Sequence, residues 1–208
     1  MSLDKELHNF MVGELLQELA SSGADCGGGT AVLMGAAMGA ALYAMAMRVT
    51  ASHREGSEKD QLEAQALRMD KVYSDILAFA KKDGEAYGFV VDAIRLPKST
   101  EAEIAVRREA LQSALKKAAL VPMEAAELCL AAIKAGVSFL PNCAKPSRSD
   151  VAAGTMLLYS GVRGCLLNIM QNCKNLADRG DILERAALIK KDADELHSII
   201  LKETEITL

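Results

Sequence analysis

The chain has 208 residues, half of them apolar, which is enough to bury a substantial core, most simply as one domain. Its formal charge of −4 argues against a nucleic-acid partner, which would favour a basic surface. Five cysteines with no CxxC pair fit free thiols in a reducing compartment, and the opening Met1-Ser-Leu-Asp-Lys-Glu6 lacks the basic-then-apolar order of a secretory signal, so a cytoplasmic protein is expected.

Few prolines, no tryptophan and abundant Ala, Leu, Glu and Lys predict an all-α fold, a single-domain multi-helix bundle. The first helix is expected from about Leu3 to Ala20, with Leu3, Leu7, Met11, Leu15 and Leu19 in one row. Asp25-Cys26-Gly27-Gly28-Gly29-Thr30 follows. Three successive glycines suit a place where backbone comes very close to something else. Thr30 is expected to cap the next helix, whose free first-turn N–H groups the glycines would bare to a bound group. The plain alternative is a tight turn.

That second helix carries no charge from Ala31 to Met47, and Gly35-xxx-Gly39 resembles a membrane dimerisation face. It is dominated by Ala, Gly and Met, and the chain offers no second span of this kind. It is therefore read as a helix buried all round in a soluble bundle, stopping near His53. Its small side chains would let neighbouring backbones approach closely, across a dimer axis if one exists.

The third helix, about Glu58 to Arg95, carries the stripe Leu62, Ala66, Met69, Tyr73, Ile76, Ala80, Asp83, Tyr87, Val90, Ile94. Every member is apolar or aromatic except Asp83. A carboxylate on a core-facing stripe must be paired, accept hydrogen bonds, or hold its proton with a raised pKa. Two readings stand: a structural acid bonded to a neighbouring helix end, or a functional group.

Pro97 breaks the chain, and Thr100-xx-Glu103 is a capping box that starts the fourth helix. Arg107, Arg108, Lys116 and Lys117 read as a solvated face. Pro122 predicts a kink or short break before Met123–Ala135. Gly136 to Pro146 is expected to be the longest irregular segment. Ser149 or Asp150 should cap a fifth helix reaching Leu176. Along it the row Asp150, Gly154, Leu157, Gly161, Gly164, Asn168, Asn172, Asn175 is acid, glycine and amide almost throughout. Such a face fits either tight helix packing with buried amides or a ligand-lining surface. Gly180 should lie past that helix and Asp181 cap the last one, with Leu183, Ala186, Ile189, Ala193, Leu196 and Ile200 inward.

His8, His53 and His197 have no second ligand at metal spacing, so no metal site is expected. No Gly-x-Ser-x-Gly elbow or Walker loop occurs, and the glycine run follows no strand. Cys26 lies near a helix start but has no histidine nearby, so a packing thiol is its simpler reading.

Four segments together resemble the formiminotetrahydrofolate cyclodeaminase / methenyltetrahydrofolate cyclohydrolase family. They are Cys26-Gly-Gly-Gly-Thr30 with its small-residue helix, Asp83-Gly-Glu-Ala-Tyr87, Leu96-Pro-Lys98 with the following Thr-xx-Glu and Arg-Arg, and Ser149-Asp150 with Asn168 and Asn172. Val121-Pro122 also fits, and the matches run in the family's order over nearly the whole chain. The family usually has proline before the three glycines and often serine after them, where this chain has Cys26 and Thr30.

The resemblance implies an all-helical homodimer acting on folate-bound one-carbon units, with a tetrahydrofolate derivative as substrate and no prosthetic group, nucleic acid or membrane partner. It places the catalytic acid on Asp83 and the folate pocket at Gly27, Gly28, Gly29, Thr30, Ser149 and Asp150. Lys98 would contact folate carboxylate or other polar atoms, and Asn168 and Asn172 the pterin edge. No formiminotransferase-like stretch accompanies these motifs, so hydrolysis of 5,10-methenyltetrahydrofolate to 10-formyltetrahydrofolate is the expected activity. The alternatives are a cyclodeaminase releasing ammonia, since the Ser-Arg-Ser-Asp stretch resembles bifunctional family members, and a non-catalytic folate-binding helical dimer.

Overall fold

Runs of good helix formers separated by short polar breaks give a chain of helices in the computed structural model, which describes residues 12–21 and 27–204. They are α1 (Val12–Ala20), α2 (Gly28–Ala51), α3 (Gly56–Arg95), α4 (Glu101–Phe139), α5 (Arg148–Cys173) and α6 (Gly180–Glu203). Two short 3-10 turns, Leu140–Asn142 and Lys145–Ser147, link α4 to α5. No strand occurs among the described residues, as the composition predicts. The expected row through Leu3, Leu7 and Met11, and Asp25 and Cys26 with it, lie outside the described residues.

The long helices α2, α3, α4 and α5 form a ring in which each packs along two neighbours, and α6 covers α4 and α5. A continuous apolar cluster fills the middle, contributed by all six helices. The glycine rows of α2 and α5 are what let these two approach. Tyr43 of α2 is fully buried, and a Cβ on Gly136 of α4 would overlap its ring. One on Gly154 of α5 would lie 2.8 Å from the Gly39 carbonyl and 3.0 Å from the ring. The phenol lies 2.5 Å from Thr155 Oγ1, which in turn donates to the Val151 carbonyl at 2.8 Å. The Tyr43 hydroxyl is therefore the donor, and burial pushes its pKa up, keeping it neutral.

Several local expectations hold. Thr100 and Glu103 form the capping box at α4: Thr100 Oγ1 accepts from the Glu103 N–H at 3.2 Å and Glu103 Oε2 from the Thr100 N–H at 3.0 Å. On α6, Ala186, Ile189, Ala193 and Ile200 are buried, with Leu183 and Leu196 packed against the core.

Others need correction. Of the kink or short break expected at Pro122, the break does not occur, since α4 runs through it as one helix. The segment from Gly136 is helical to Phe139 and then turns twice in 3-10 form, because Gly136 is chosen for the Tyr43 ring and not as a stop. Thr30 does not cap α2: Gly27 does, without a side-chain bond, and Thr30 is a buried residue of the first turn. Likewise Ser147 precedes α5 and Arg179 precedes α6, so Ser149, Asp150, Gly180 and Asp181 are all inside helices. Nor is α2 buried all round. Met38 is 50% exposed and Ala31 and Ala41 are exposed, leaving one uncharged face uncovered. Among the described residues α2 is the single helix long and apolar enough to cross a membrane, and over half of its most apolar window is buried.

Candidate active site

The first backbone bond of α2 runs from the Ala31 N–H to the Gly27 carbonyl at 3.1 Å. The amides of Gly28, Gly29 and Thr30 therefore have no partner within the helix, and they mark its electropositive end. Opposite them stands Asp83. The α3 stripe turns it inward, where it is half-buried, and its Oδ2 accepts a 3.3 Å hydrogen bond from Asn168 Nδ2 of α5.

Gly29 is where these groups meet. A Cβ there would overlap Asp83 Oδ2 and lie 2.6 Å from Asn168 Nδ2, so no side chain fits while acid and amide hold these positions. Burial pushes the Asp83 carboxyl above its ordinary value of 3.8. The Asn168 bond and the helix end both favour the charged form, but the loss of hydration outweighs them.

Asn172 is set by a different device. Pro122 has no N–H, so the Ala118 carbonyl one turn earlier is left without its helical partner. Asn172 Nδ2 donates to that carbonyl at 2.8 Å. The bond ties α5 to α4 beside the acid and leaves the Asn172 carbonyl oxygen free to accept.

These groups enclose a hollow of about 260 Å³ lined by Gly27–Thr30 of the α2 start, Asp83 and Tyr87 of α3, and Asn168 and Asn172 of α5. Gly84, Ala118 and Gln171 complete the wall, and Tyr87, 57% exposed, stands on the rim. An acid that can hold or release a proton, unpartnered amides and amide side chains suit a polar, partly cationic ligand whose reacting atom exchanges protons.

Of the residues expected at the site, the structure brings together Gly27, Gly28, Gly29, Thr30, Asp83, Asn168 and Asn172. It does not bring Lys98, Ser149 or Asp150 to that hollow within one chain. Lys98 lies beyond the end of α3, whose axis runs ~18 Å from Asp83 to Arg95. Ser149 and Asp150 are in the first turn of α5, ~27 Å along its axis from Asn168. Asn168 and Asn172 each direct a donor to protein, to Asp83 and to Ala118. Gly84, Tyr87, Ala118 and Gln171 were not anticipated as lining residues. Spacing could have found two of them, since Tyr87 follows Asp83 by four positions and Gln171 follows Asn168 by three.

The family model described as Formiminotransferase-cyclodeaminase matches residues 11–191. The chain belongs to this family. A methenyltetrahydrofolate cyclohydrolase of Methylorubrum extorquens is 32% identical over 178 residues, covering 85% of this chain and 86% of that protein. A formimidoyltransferase-cyclodeaminase of Mus musculus is 29% identical over 181 residues, and the match spans 32% of its length. The family fold is also seen in a crystal structure of formiminotetrahydrofolate cyclodeaminase from Thermotoga maritima. It superposes with a TM-score of 0.84 at 24% identity, covering 96% of this chain and 98% of that one. As a member of the formiminotransferase-cyclodeaminase family, the chain has the all-helical fold that its composition predicts.

Proposed function

We propose that the protein hydrolyses 5,10-methenyltetrahydrofolate to 10-formyltetrahydrofolate in the Asp83 hollow. The observation that carries this reading is the half-buried carboxyl of Asp83, raised in pKa, facing the unpartnered amides of α2 across Gly29. The cyclohydrolase of Methylorubrum extorquens, similar over most of both chains, supports the same choice.

The bridging carbon of the substrate is an amidinium cation. As water adds to it, the Asp83 carboxylate takes a proton from that water and a neutral tetrahedral adduct forms. Asp83 then gives the proton to N5 while the carbon–N5 bond breaks. The adduct hydroxyl loses its proton to solvent as it becomes the formyl carbonyl, so one water is consumed and one proton is released overall. The cation also favours an ionised Asp83 when substrate is bound, against the effect of burial. The α2 amides supply donors for the adduct oxygen, and the Asn172 carbonyl accepts from the pterin edge. Lys98 is assigned to the distal carboxylates of the folate.

Asp83→Asn is expected to lower turnover by about 10²–10⁴-fold, read from the decay of the methenyl absorbance. A rate near wild type would remove the acid from the mechanism. The similarity to the mouse formimidoyltransferase-cyclodeaminase supports a second reading, in which N10 adds to an N5-formimino carbon and Asp83 protonates the departing ammonia. Ammonia release from the formimino substrate by the wild-type protein decides for that reading.

We also infer that the protein is a homodimer paired through the uncovered α2 face of Ala31, Met34, Met38, Ala41, Leu42 and Met45. The support is that this face carries no charged or polar side chain, and that Ala31 and Ala41 are small enough for a second helix to approach closely. The part of Ser149 and Asp150 in lining the folate pocket then falls to the second copy.

A further inference from the structure

A second cleft of about 320 Å³ opens where the end of α2, the start of α3 and the end of α4 meet. Its floor is apolar, made by Met47, Leu62, Met69 and Phe139. Its rim is polar, with Arg54 and Arg68 set among Gln61, Gln65 and Asn142. Met69 precedes Asp83 by fourteen residues on the same helix, ~21 Å of axis, so this cleft and the acid's hollow are separate.

Two features distinguish it. The first is charge. Two guanidiniums against the one carboxylate of Glu58 leave a net positive lining. The Asp83 hollow has one acid and no base, the cleft between α3 and α4 sets three acids against Lys82, and the cleft at Lys116 and Arg185 is balanced by Asp178 and Asp181. In a protein of net charge −4, one cleft of these four therefore attracts anions.

The second feature is the state of those donors. Arg48, nearby in sequence, is tied to Asp70 through both terminal nitrogens. Arg54 reaches Glu58 only at 3.4 Å, in an exposed i,i+4 pair worth little. Arg68 and the three amides make no hydrogen bond or ion pair with any described residue, so their donors are open to a ligand. One net positive charge, planar guanidinium forks, amides and a methionine-lined floor together match a singly charged carboxylate on an apolar body.

We propose that this cleft is a second ligand site, apart from the Asp83 hollow, for a small organic carboxylate that carries an aromatic or aliphatic group. The carboxylate sits between Arg54 and Arg68, the amides bond its polar middle, and the apolar group rests on Met47 and Met69.

The test uses hippurate, which joins a phenyl ring, an amide and one carboxylate, and reads the methyl resonances of the methionines in the full-length protein. Hippurate is expected to shift Met47 and Met69 saturably, with Kd on the order of 1 mM, while Met38, Met123 and Met170 stay in place. Hippurate methyl ester, which lacks the charge, should bind roughly tenfold more weakly or worse, as should hippurate to Arg68→Ala. Arg68→Lys, which keeps the charge without the fork, should fall between. Asp83→Asn should bind hippurate like wild type, so the outcome is independent of turnover. No saturable shift at Met47 and Met69, equal binding of the ester, or indifference to both Arg68 substitutions would overturn the proposal.

Discussion

Asp83 combines two opposed demands in one carboxyl. Its folded pKa lies above the unfolded value of 3.8 because burial disfavours the charge. Between those two values the native state holds more protons than the unfolded chain, so stability falls as pH rises through that window and stays lower above it. Asp83→Asn removes the penalty. The variant is expected to lose turnover yet gain on the order of 2 °C in Tm at neutral pH, with no gain below the unfolded pKa. Asn168 pulls the other way by donating to the charged form. Asn168→Ala should therefore shift the acid limb of the kcat/KM profile to higher pH, an effect that loss of packing alone does not give. Asp83 was legible in the sequence because it is the one acid in an apolar stripe. The donor to it was not, since Asn168 lies 85 positions away and its row admitted two uses.

At the scale of elements, the proline in α4 is the instructive case. Read alone, Pro122 signals a break, but helix continuity depends on whether the freed carbonyl finds another donor, and Asn172 supplies one. Asn172→Ala leaves the Ala118 carbonyl buried without a partner and should cost about 1–3 kcal/mol by chemical denaturation. In a Pro122→Ala background the helical N–H returns and the same change should cost much less, so the double-mutant cycle measures the coupling directly. The capping box at Thr100 was readable because both its partners lie within three residues. The caps assigned to Thr30, Asp150 and Asp181 were misplaced for the converse reason. Short polar residues fit the first turn as readily as the cap, and the neighbouring helices decide which. The glycine–asparagine row of α5 divides along its length. Gly154, Gly161 and Gly164 pack on α2, and Asn168 and Asn172 line the hollow.

For the whole molecule, the all-helical character was implicit in composition and periodicity, while the ring of long helices came from the structure. Which surface would stay bare was not, because an uncharged helix looks the same whether its last face meets its own chain or another. Met38 stands in the middle of that bare face, 50% exposed. Met38→Glu is expected to convert a dimer to a monomer in light scattering while leaving the helical circular dichroism unchanged. A wild-type protein that is already monomeric at micromolar concentration would refute the pairing.

The tyrosine at the crossing of α2, α4 and α5 has a consequence for how this chain can vary. Its ring occupies space that Gly136 and Gly154 vacate on two other helices, so the three positions form one volume shared by distant parts of the sequence. An alanine at Gly136 has nowhere to go while the ring is present, yet becomes admissible once the ring is shortened, whereas at Gly154 the Gly39 carbonyl still bars a side chain. Drift at Tyr43 and Gly136 must therefore proceed in company, ring first. A survey of permitted substitutions should recover these two as a correlated pair, with Gly154 held as glycine throughout.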